Sequence, residues 1–174
     1  MFIRRAQQAD TAAIAAIWNA EIRSGISTFN TLEKSDRDIT QLIINRKEAV
    51  QVAVEEGEII GFATYFPFRA GVGYQFSKEH TIYLDDAARG KGAGRALMLE
   101  IERLATAEGV HSLMAGIAGE NEAGIAFHTA MGFEHVARIP EVGYKFGRWM
   151  DLILMQKFLQ RPTKDAAPAA EDET

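Results

Sequence analysis

The sequence predicts a mixed α/β domain, and three observations lead to this prediction. The chain has 174 residues, of which 47% are hydrophobic and 25% charged, enough to build one globular core. Short β-branched runs alternate along the chain with longer runs of helical periodicity. Their order is strand, two helices, three strands, helix, strand, helix and two strands. This order predicts a mixed central sheet of about seven strands flanked by about four helices.

The first half of the chain is expected to contain two helices and four strands. A strand at 2–5 leads to Asp10, a candidate N-cap for a helix that runs to about Arg23. Ser35 or Asp36 caps a second helix, in which Ile39 and Ile43 lie at helical spacing. Three strands follow, predicted at 50–55, 58–66 and 74–84, and the Glu56-Gly57 pair joins the first two into a hairpin.

The second half is expected to alternate helices with strands. A helix from Arg95 to Glu108 ends before Gly109, which suits a left-handed C-terminal position. The remaining predicted elements are a strand at 113–118, a helix from Asn121 to Gly132, and strands at 133–139 and 149–158 separated by 140–148. We expect residues 1–160 to form one domain, and residues 161–174, rich in Ala, Pro and acidic side chains, to be disordered.

Composition excludes several classes of function. The net charge of −5 argues against a nucleic-acid partner. With no cysteine, the chain has neither a disulfide framework nor a thiolate that could carry an acyl group. No stretch approaches the ~20 apolar residues of a membrane span, and the N-terminus has no signal-peptide pattern. We therefore expect a cytoplasmic protein without a membrane partner.

The stretch Arg89-Gly-Lys-Gly-Ala-Gly94 is the strongest functional signal. Its three alternate glycines remove every Cβ from one side of a turn, so that a ligand can approach the backbone. The predicted helix that follows presents free N–H groups and the positive end of its dipole to the turn. Arg89, Lys91 and Arg95 add positive charge. This pattern predicts a phosphate site, although a glycine-rich turn before an ordinary helix is the alternative.

The spacing of the glycines distinguishes between phosphate ligands. A Walker loop requires Ser or Thr after its Gly-Lys, and Gly92 follows Lys91 here. The dinucleotide fingerprint requires a small residue at the position that Leu97 occupies. The form that fits is Arg/Gln-x-x-Gly-x-Gly/Ala. It resembles the pyrophosphate loop of the GCN5-related N-acetyltransferases (GNAT), and the predicted order of elements matches the GNAT fold over almost the whole chain.

Further stretches narrow the resemblance. They are Glu79-His-Thr-Ile-Tyr83, Asn121-Glu-Ala-Gly-Ile-Ala-Phe-His128 with Met131-Gly-Phe133, and Gly143-Tyr-Lys-Phe-Gly-Arg-Trp-Met-Asp151. Together they look like the phosphinothricin and methionine sulfoximine acetyltransferase branch. The resemblance implies an N-acetyltransferase that moves acetyl from acetyl-CoA to the α-amino group of a small amino-acid-like acceptor. It also implies a homodimer, and it calls for no metal.

Chemistry and resemblance together suggest the catalytic residues. A protonated amine cannot attack a thioester, so a base is needed, and Glu79 matches the family's glutamate before the cofactor loop. The backbone N–H of Tyr83 or Leu84, where the strand must splay, is the expected oxyanion donor. His128 occupies the place of the superfamily's tyrosine acid, and it either protonates the leaving thiolate or only packs at the cofactor edge.

The resemblance also suggests the binding residues. Asn121 matches the pantetheine-contacting Asn and is also a plausible N-cap. The expected acceptor site contains Phe29, Arg69, Tyr74 and Glu79, with Arg69 holding the acceptor carboxylate. The expected cofactor residues are Ile82, Tyr83, Leu84, Arg89, Gly90, Lys91, Gly92, Ala93, Gly94, Arg95 and Asn121.

The chain departs from the branch at a few positions. Gln75 and Lys78 stand where arginine and an apolar residue are usual. Phe146 replaces the histidine of the phosphinothricin enzymes, which favours the sulfoximine or sulfone side of the branch. Acetylation of a peptide or protein amine is an alternative that an open groove would favour. A non-catalytic acyl-CoA-binding module would lack the carboxylate near the thioester, and a domain without any cofactor would retain no CoA on purification.

Overall fold

The computed structural model describes residues 1–160, so the predicted disordered tail at 161–174 lies outside the described residues. Seven strands form one sheet in the order β1-β2-β3-β4-β5-β7-β6. Among the strands of residues 1–160, only the β4–β5 pair is parallel. The strands are β1 Phe2–Arg5, β2 Val50–Glu55, β3 Glu58–Pro67, β4 Ser77–Leu84, β5 Ser112–Ala118, β6 Glu134–Lys145 and β7 Arg148–Phe158, and the α-helices are α1 Thr11–Ser24, α2 Asp36–Arg46, α3 Ala93–Ala107 and α4 Glu122–Ala130. The predicted mixed α/β fold is confirmed.

The helices cover the two faces of the sheet. On one face, α1 and α2 pack on Val50, Val52 and Phe62, all fully buried. On the other, α3 packs on Ala53 and Ala63, which are equally buried. Successive strand residues point to opposite faces, so β2, β3 and β5 are mostly apolar, whereas the first half of β4 is polar.

Two element starts and one helix cap are among the differences from the sequence prediction. β4 begins at Ser77 rather than at residue 74, because residues 72–74 form a single 3₁₀ turn after Gly71, whose φ is +112°. Helix α3 begins at Ala93, two residues early, with Gly92 as a left-handed N-cap. The carboxylate of Asp10 does not cap α1 but accepts two hydrogen bonds from the Arg4 guanidinium.

The largest correction concerns the last two strands. Residues 140–145, predicted as part of a connection, continue β6 beyond Pro140. The register shifts between Ile139 and Gly143, where Glu141 has a φ of +50° and donates its N–H to Asp151. This irregularity absorbs the proline, which cannot donate to a β ladder. The true hairpin turn is only Phe146-Gly147, with φ of 55° and 72°.

Candidate active site

The site lies where β4 and β5 separate. These strands pair only from Ser77–Glu79 to Ser112–Met114, and beyond that point they diverge. The splaying expected from the sequence is therefore present. A cavity of about 750 Å³ occupies the gap and extends to the N-terminus of α3.

One end of the cavity is the glycine-rich turn. Gly90 and Gly92 have φ of +76° and +83°, and a Cβ placed on either residue would meet nothing within 4 Å. The turn is therefore open on its ligand side, and it favours glycine because of its backbone conformation. The first N–H groups of α3 lack acceptors within the helix and carry the positive end of its dipole. This arrangement fits the pyrophosphate of coenzyme A.

The cations predicted at the turn have separate partners. Arg89 pairs with Asp86 at 3.0 Å, and Lys91 Nζ pairs with Glu55 at 2.9 Å. Lys91 does not line the cavity, whereas Arg89 and Arg95 do. The Lys91 side chain therefore faces the surface, and the backbone of the turn carries the geometry of the phosphate site.

The other end of the cavity holds Glu79. Its carboxylate lies against β5, and a Cβ on Gly116 would lie only 3.1 Å from Oε1. Gly116 therefore makes room for the carboxylate. Burial raises the pKa of Glu79, and the positive charge of Arg69 opposes that shift. A carboxylate that is partly stripped of water accepts a proton more readily than an exposed one.

The structure brings most of the predicted residues together. The cavity wall includes Phe29, Glu79, Ile82, Tyr83, Leu84, Arg89, Gly90, Gly92, Ala93, Gly94, Arg95, Asn121 and His128. Arg69 and Tyr74 are absent from this wall, and both are exposed. The Arg69 guanidinium stacks on Phe68, 5.2 Å from the ring centroid. Its expected contact with an acceptor carboxylate therefore stays a prediction that the cavity geometry does not favour.

His128 is held in a way that argues against its predicted role as an acid. Nδ1 lies 2.7 Å from the carbonyl oxygen of Gly124, which can only accept, so Nδ1 carries the proton. In the neutral ring Nε2 then accepts from Nε2 of His80 at 3.1 Å. Burial lowers the pKa of His128, and it lowers that of His80 to about 3. A neutral His128 in this tautomer has no proton on Nε2 for a leaving thiolate.

Asn121 has the cap geometry predicted for it. Its side-chain oxygen accepts from the backbone N–H of Gly124, and Nδ2 donates to Ser27 Oγ at 3.2 Å. It lines the cavity at the same time. The position therefore combines an N-cap with a place on the cavity wall.

Sequence reasoning missed part of the wall. Trp18, read as a core residue, is 7% exposed but also lines the cavity. Gly116 inside a strand was a usable signal, since such a glycine often marks a close approach. Other missed residues of the wall include Glu21, Ser27, Thr28, Asn30 and Phe66. Most of these lie near Phe29 in the sequence, and the polar run beside it was the only local hint.

The described residues lack two features. Residues 1–160 contain no group of three or more His, Cys, Asp or Glu side chains arranged to hold a metal ion. Within the same residues, no helix is both long and apolar enough to cross a membrane.

The chain matches a known family over most of its length. Residues 3–154 match the family described as acetyltransferase (GNAT) domain. The chain is 36% identical over 176 residues to an L-methionine sulfoximine/L-methionine sulfone acetyltransferase of Salmonella typhimurium, covering 98% of this chain and 99% of the relative.

Two solved structures are similarly close. One is a putative acetyltransferase from Salmonella typhimurium with its cofactor acetyl-CoA, with a TM-score of 0.91 at 35% identity and 98% coverage of both chains. The other is a ribosomal-protein-alanine N-acetyltransferase from Brucella melitensis, with a TM-score of 0.87 at 39% identity, covering 91% of this chain and 99% of that one. The fold, the open glycine turn and these similarities agree: the chain belongs to the GNAT acetyltransferase family.

Proposed function

We propose that this acetyltransferase moves the acetyl group of acetyl-CoA to the α-amino group of a small amino-acid-like acceptor, of the methionine sulfoximine, methionine sulfone or phosphinothricin type. The observation that carries the proposal is the position of Glu79, a desolvated carboxylate in the same cavity as the phosphate turn. The relative's name supports the acceptor class.

In this proposal each end of the cavity has its own task. Acetyl-CoA supplies an activated acetyl thioester, and the backbone of residues 89–94 holds its pyrophosphate. Glu79 takes a proton from the acceptor ammonium, directly or through one water, so that the amine can attack. The N–H of Tyr83 or Leu84 stabilises the negative charge that develops on the thioester oxygen. With no cysteine in the chain, transfer takes place directly within a ternary complex.

A protein amine is the second candidate acceptor. The structure named as a ribosomal-protein-alanine N-acetyltransferase from Brucella melitensis is 39% identical to this chain, which favours a protein amine as the alternative acceptor. The wall of the cavity, however, includes Trp18, Phe29 and Phe66. Aromatic walls around a small number of carboxylates suit a small molecule better than an extended peptide.

A screen of acceptors tests the proposal. Release of free CoA from acetyl-CoA is followed with amino acids, with their sulfoximine, sulfone and phosphinic analogues, and with peptides that have a free N-terminal alanine. We expect release with a free amino acid or analogue and none with its N-methylated or N-acetylated form. Release with the peptides alone would replace the small-molecule reading by the protein-amine reading.

The proposal includes a homodimer in the cytoplasm, where acetyl-CoA is available. The dimer is supported by an exposed apolar surface on the β6–β7 hairpin. Tyr144 and Trp149 are 54% and 60% exposed, and their rings pack together at 4.9 Å. Contiguous apolar surface of this kind often marks an interface. Light scattering should give twice the 19.2 kDa mass of one chain, and Trp149→Ser should shift the mass toward one chain. A parent protein with the mass of one chain would contradict the dimer.

A further inference from the structure

Lys145 is a buried lysine without a carboxylate partner. Its side chain is 2% exposed, although it lies one residue before the β6–β7 turn. Nζ donates to the carbonyl oxygens of Glu21, Gly25 and Thr28, at 3.2, 2.7 and 2.9 Å. An ammonium has three donors, and all three are used. Among residues 1–160, no carboxylate oxygen lies within 4.0 Å of this Nζ.

The electrostatic setting explains how a charge can lie here. Burial lowers the pKa of Lys145, and the negative charge of Glu21 opposes that shift. Glu21 is in the last turn of α1, and Gly25 directly follows that helix. The ammonium therefore meets carbonyl groups at the negative end of the α1 dipole, and that of Glu21 also accepts the N–H of Gly25. It holds backbone rather than neutralising an acid.

The backbone that it holds is the segment 25–32, here called the acceptor loop. Four of its residues line the cavity: Ser27, Thr28, Phe29 and Asn30. The loop also has an internal tie, because the Glu21 carboxylate accepts the N–H of Ser27 at 2.7 Å. Lys145, on β6, donates to the carbonyl oxygens of Glu21 and of Thr28, the neighbour of Ser27, and so links both sides of this hydrogen bond to the sheet.

Gly143, two residues earlier on the same strand, supports the same loop. A Cβ at Gly143 would overlap Cδ2 and Cγ of the Phe29 ring. The ring therefore packs directly on the backbone of β6. Phe29 in turn forms part of the cavity wall. Two alternate residues of β6 thus fix the position of the acceptor loop, one by hydrogen bonds and one by close packing.

We propose that Lys145 and Gly143 are positioning residues that set the distance between the acceptor loop and Glu79, and thereby the affinity for the acceptor. The inference rests on the proposed function for its kinetic part. Small displacements of positioning groups are costly because reacting atoms must meet within about 3–3.5 Å. The phosphate turn is built from a separate segment. Two side-chain hydrogen bonds join the loop to predicted cofactor residues: one from Asn121 to Ser27 and one between Tyr83 and Thr28.

The kinetic test compares Lys145→Met with Lys157→Met. Lys157 is a useful control because it also donates to a carbonyl, that of Met131, and its other hydrogen bonds go to Glu102 rather than to the acceptor loop. We expect Lys145→Met to raise the acceptor KM at least about tenfold, with the acetyl-CoA Kd changed less than about threefold. Lys157→Met should change neither by more than about twofold. Equal losses of acceptor and cofactor affinity in Lys145→Met would overturn the proposal.

Hydrogen exchange tests the positioning without using any acceptor. Amides of residues 25–32 should exchange at least about tenfold faster in Lys145→Met than in Lys157→Met, while those of 89–94 keep the parent rate. If Lys145→Met does not fold, Gly143→Ala is used instead, since its Cβ would displace the ring of Phe29. Unchanged exchange in the loop would overturn the positioning role. Faster exchange would support it even if no tested amine proved to be an acceptor.

Discussion

The two ends of the cavity are built in different ways. The phosphate turn at the cofactor end comes from one stretch of the chain, residues 89–95, and its predicted ligand groups belong to the backbone. The acceptor end is assembled from the loop after α1, from Glu79 on β4 and from Gly116 on β5, and β6 braces it from behind. The first is a local feature of sequence, whereas the second exists only after the sheet has formed.

The ends also differ in what they contribute to stability. Behind the cofactor turn, Ala93 and Leu97 are fully buried in an apolar core. The acceptor end contains groups that oppose folding: a desolvated Glu79, a buried Lys145 and Trp18 Nε1, which has no hydrogen-bond partner among the described residues. Sites that must bind and react commonly give up stability in this way. The groups needed for function therefore reduce the stability of the fold most at the end that has to recognise the acceptor.

The largest expected effect is a loss of kcat with acetyl-CoA binding nearly unchanged. Glu79→Gln keeps the shape of the side chain but removes the base, so kcat at neutral pH should fall by about 10²–10⁴-fold. The acetyl-CoA Kd should stay within about twofold of the parent, because the phosphate turn is separate. Steady-state kinetics and calorimetric binding measure the two quantities.

A second carboxylate on the cavity wall provides the control for that variant. Glu21 already accepts the N–H of Ser27, and its role is in the loop. Glu21→Gln retains that acceptor, and we expect its kcat to stay within about tenfold of the parent. A larger loss of kcat in Glu21→Gln than in Glu79→Gln would show that Glu21, and not Glu79, is the base.

The next largest expected effect is a loss of affinity for acetyl-CoA. Gly94 lies in the first turn of α3, where a Cβ would be 3.4 Å from Leu84 and Phe127. Valine at this position adds bulk on the wall where the pyrophosphate approaches. The acetyl-CoA Kd should rise at least about tenfold, which corresponds to roughly 1.4 kcal/mol. A folded Gly94→Val protein with the affinity of the parent would disprove the placement of the phosphate.

A matched pair of glycines separates backbone strain from ligand contact. Gly92 and Gly109 flank the two ends of α3, with φ of +83° and +78° and open space around both. Alanine at either position should cost about 1–2 kcal/mol of stability, because left-handed backbone disfavours a Cβ. Only Gly92→Ala should also weaken acetyl-CoA binding, by about three- to tenfold. Thermal unfolding and calorimetry measure both, and equal binding losses in the two variants would point to strain alone.

The smallest effect concerns stability at the acceptor end. The folded pKa of Glu79 is raised above its unfolded value. At low pH the carboxyl is protonated in both states and costs nothing. The cost appears as the pH rises above about 4.3, the usual unfolded value, and is complete above the folded pKa. Glu79→Gln should therefore raise Tm by a few degrees at pH 7, and the gain should shrink towards pH 4.5. A Tm at pH 7 below that of the parent would contradict this.

The contrast between the ends also explains how far the sequence could lead. The turn at 89–94 was predictable, because alternate glycines before a helix have a local physical meaning. The order of elements was predictable from periodicity, and so was the splay after Glu79 from the need to admit a cofactor. The extension of β6 past Pro140 was not, because it depends on a hydrogen bond from Glu141 to Asp151, a residue of the next strand.

The same limit applies to individual side chains. The histidine pair could not be foreseen, since His80 and His128 are 48 residues apart and meet only across the fold. The segment from Gly143 to Asp151 carries part of the family resemblance, but the residues that it contacts lie elsewhere in the chain. Lys145 reaches carbonyls more than a hundred residues away. Such contacts leave no local periodicity or spacing to detect.

The most direct test of the account is the pH dependence of kcat, at saturating acetyl-CoA and acceptor, in the parent and in Glu79→Gln. In the parent, kcat should fall as the pH is lowered through a pKa above the ordinary glutamate value, because burial raises the pKa of Glu79. In Glu79→Gln, kcat should be low at neutral pH and recover part of its loss at alkaline pH, as the fraction of free amine grows. Two profiles of the same shape and similar height would show that Glu79 is not the base.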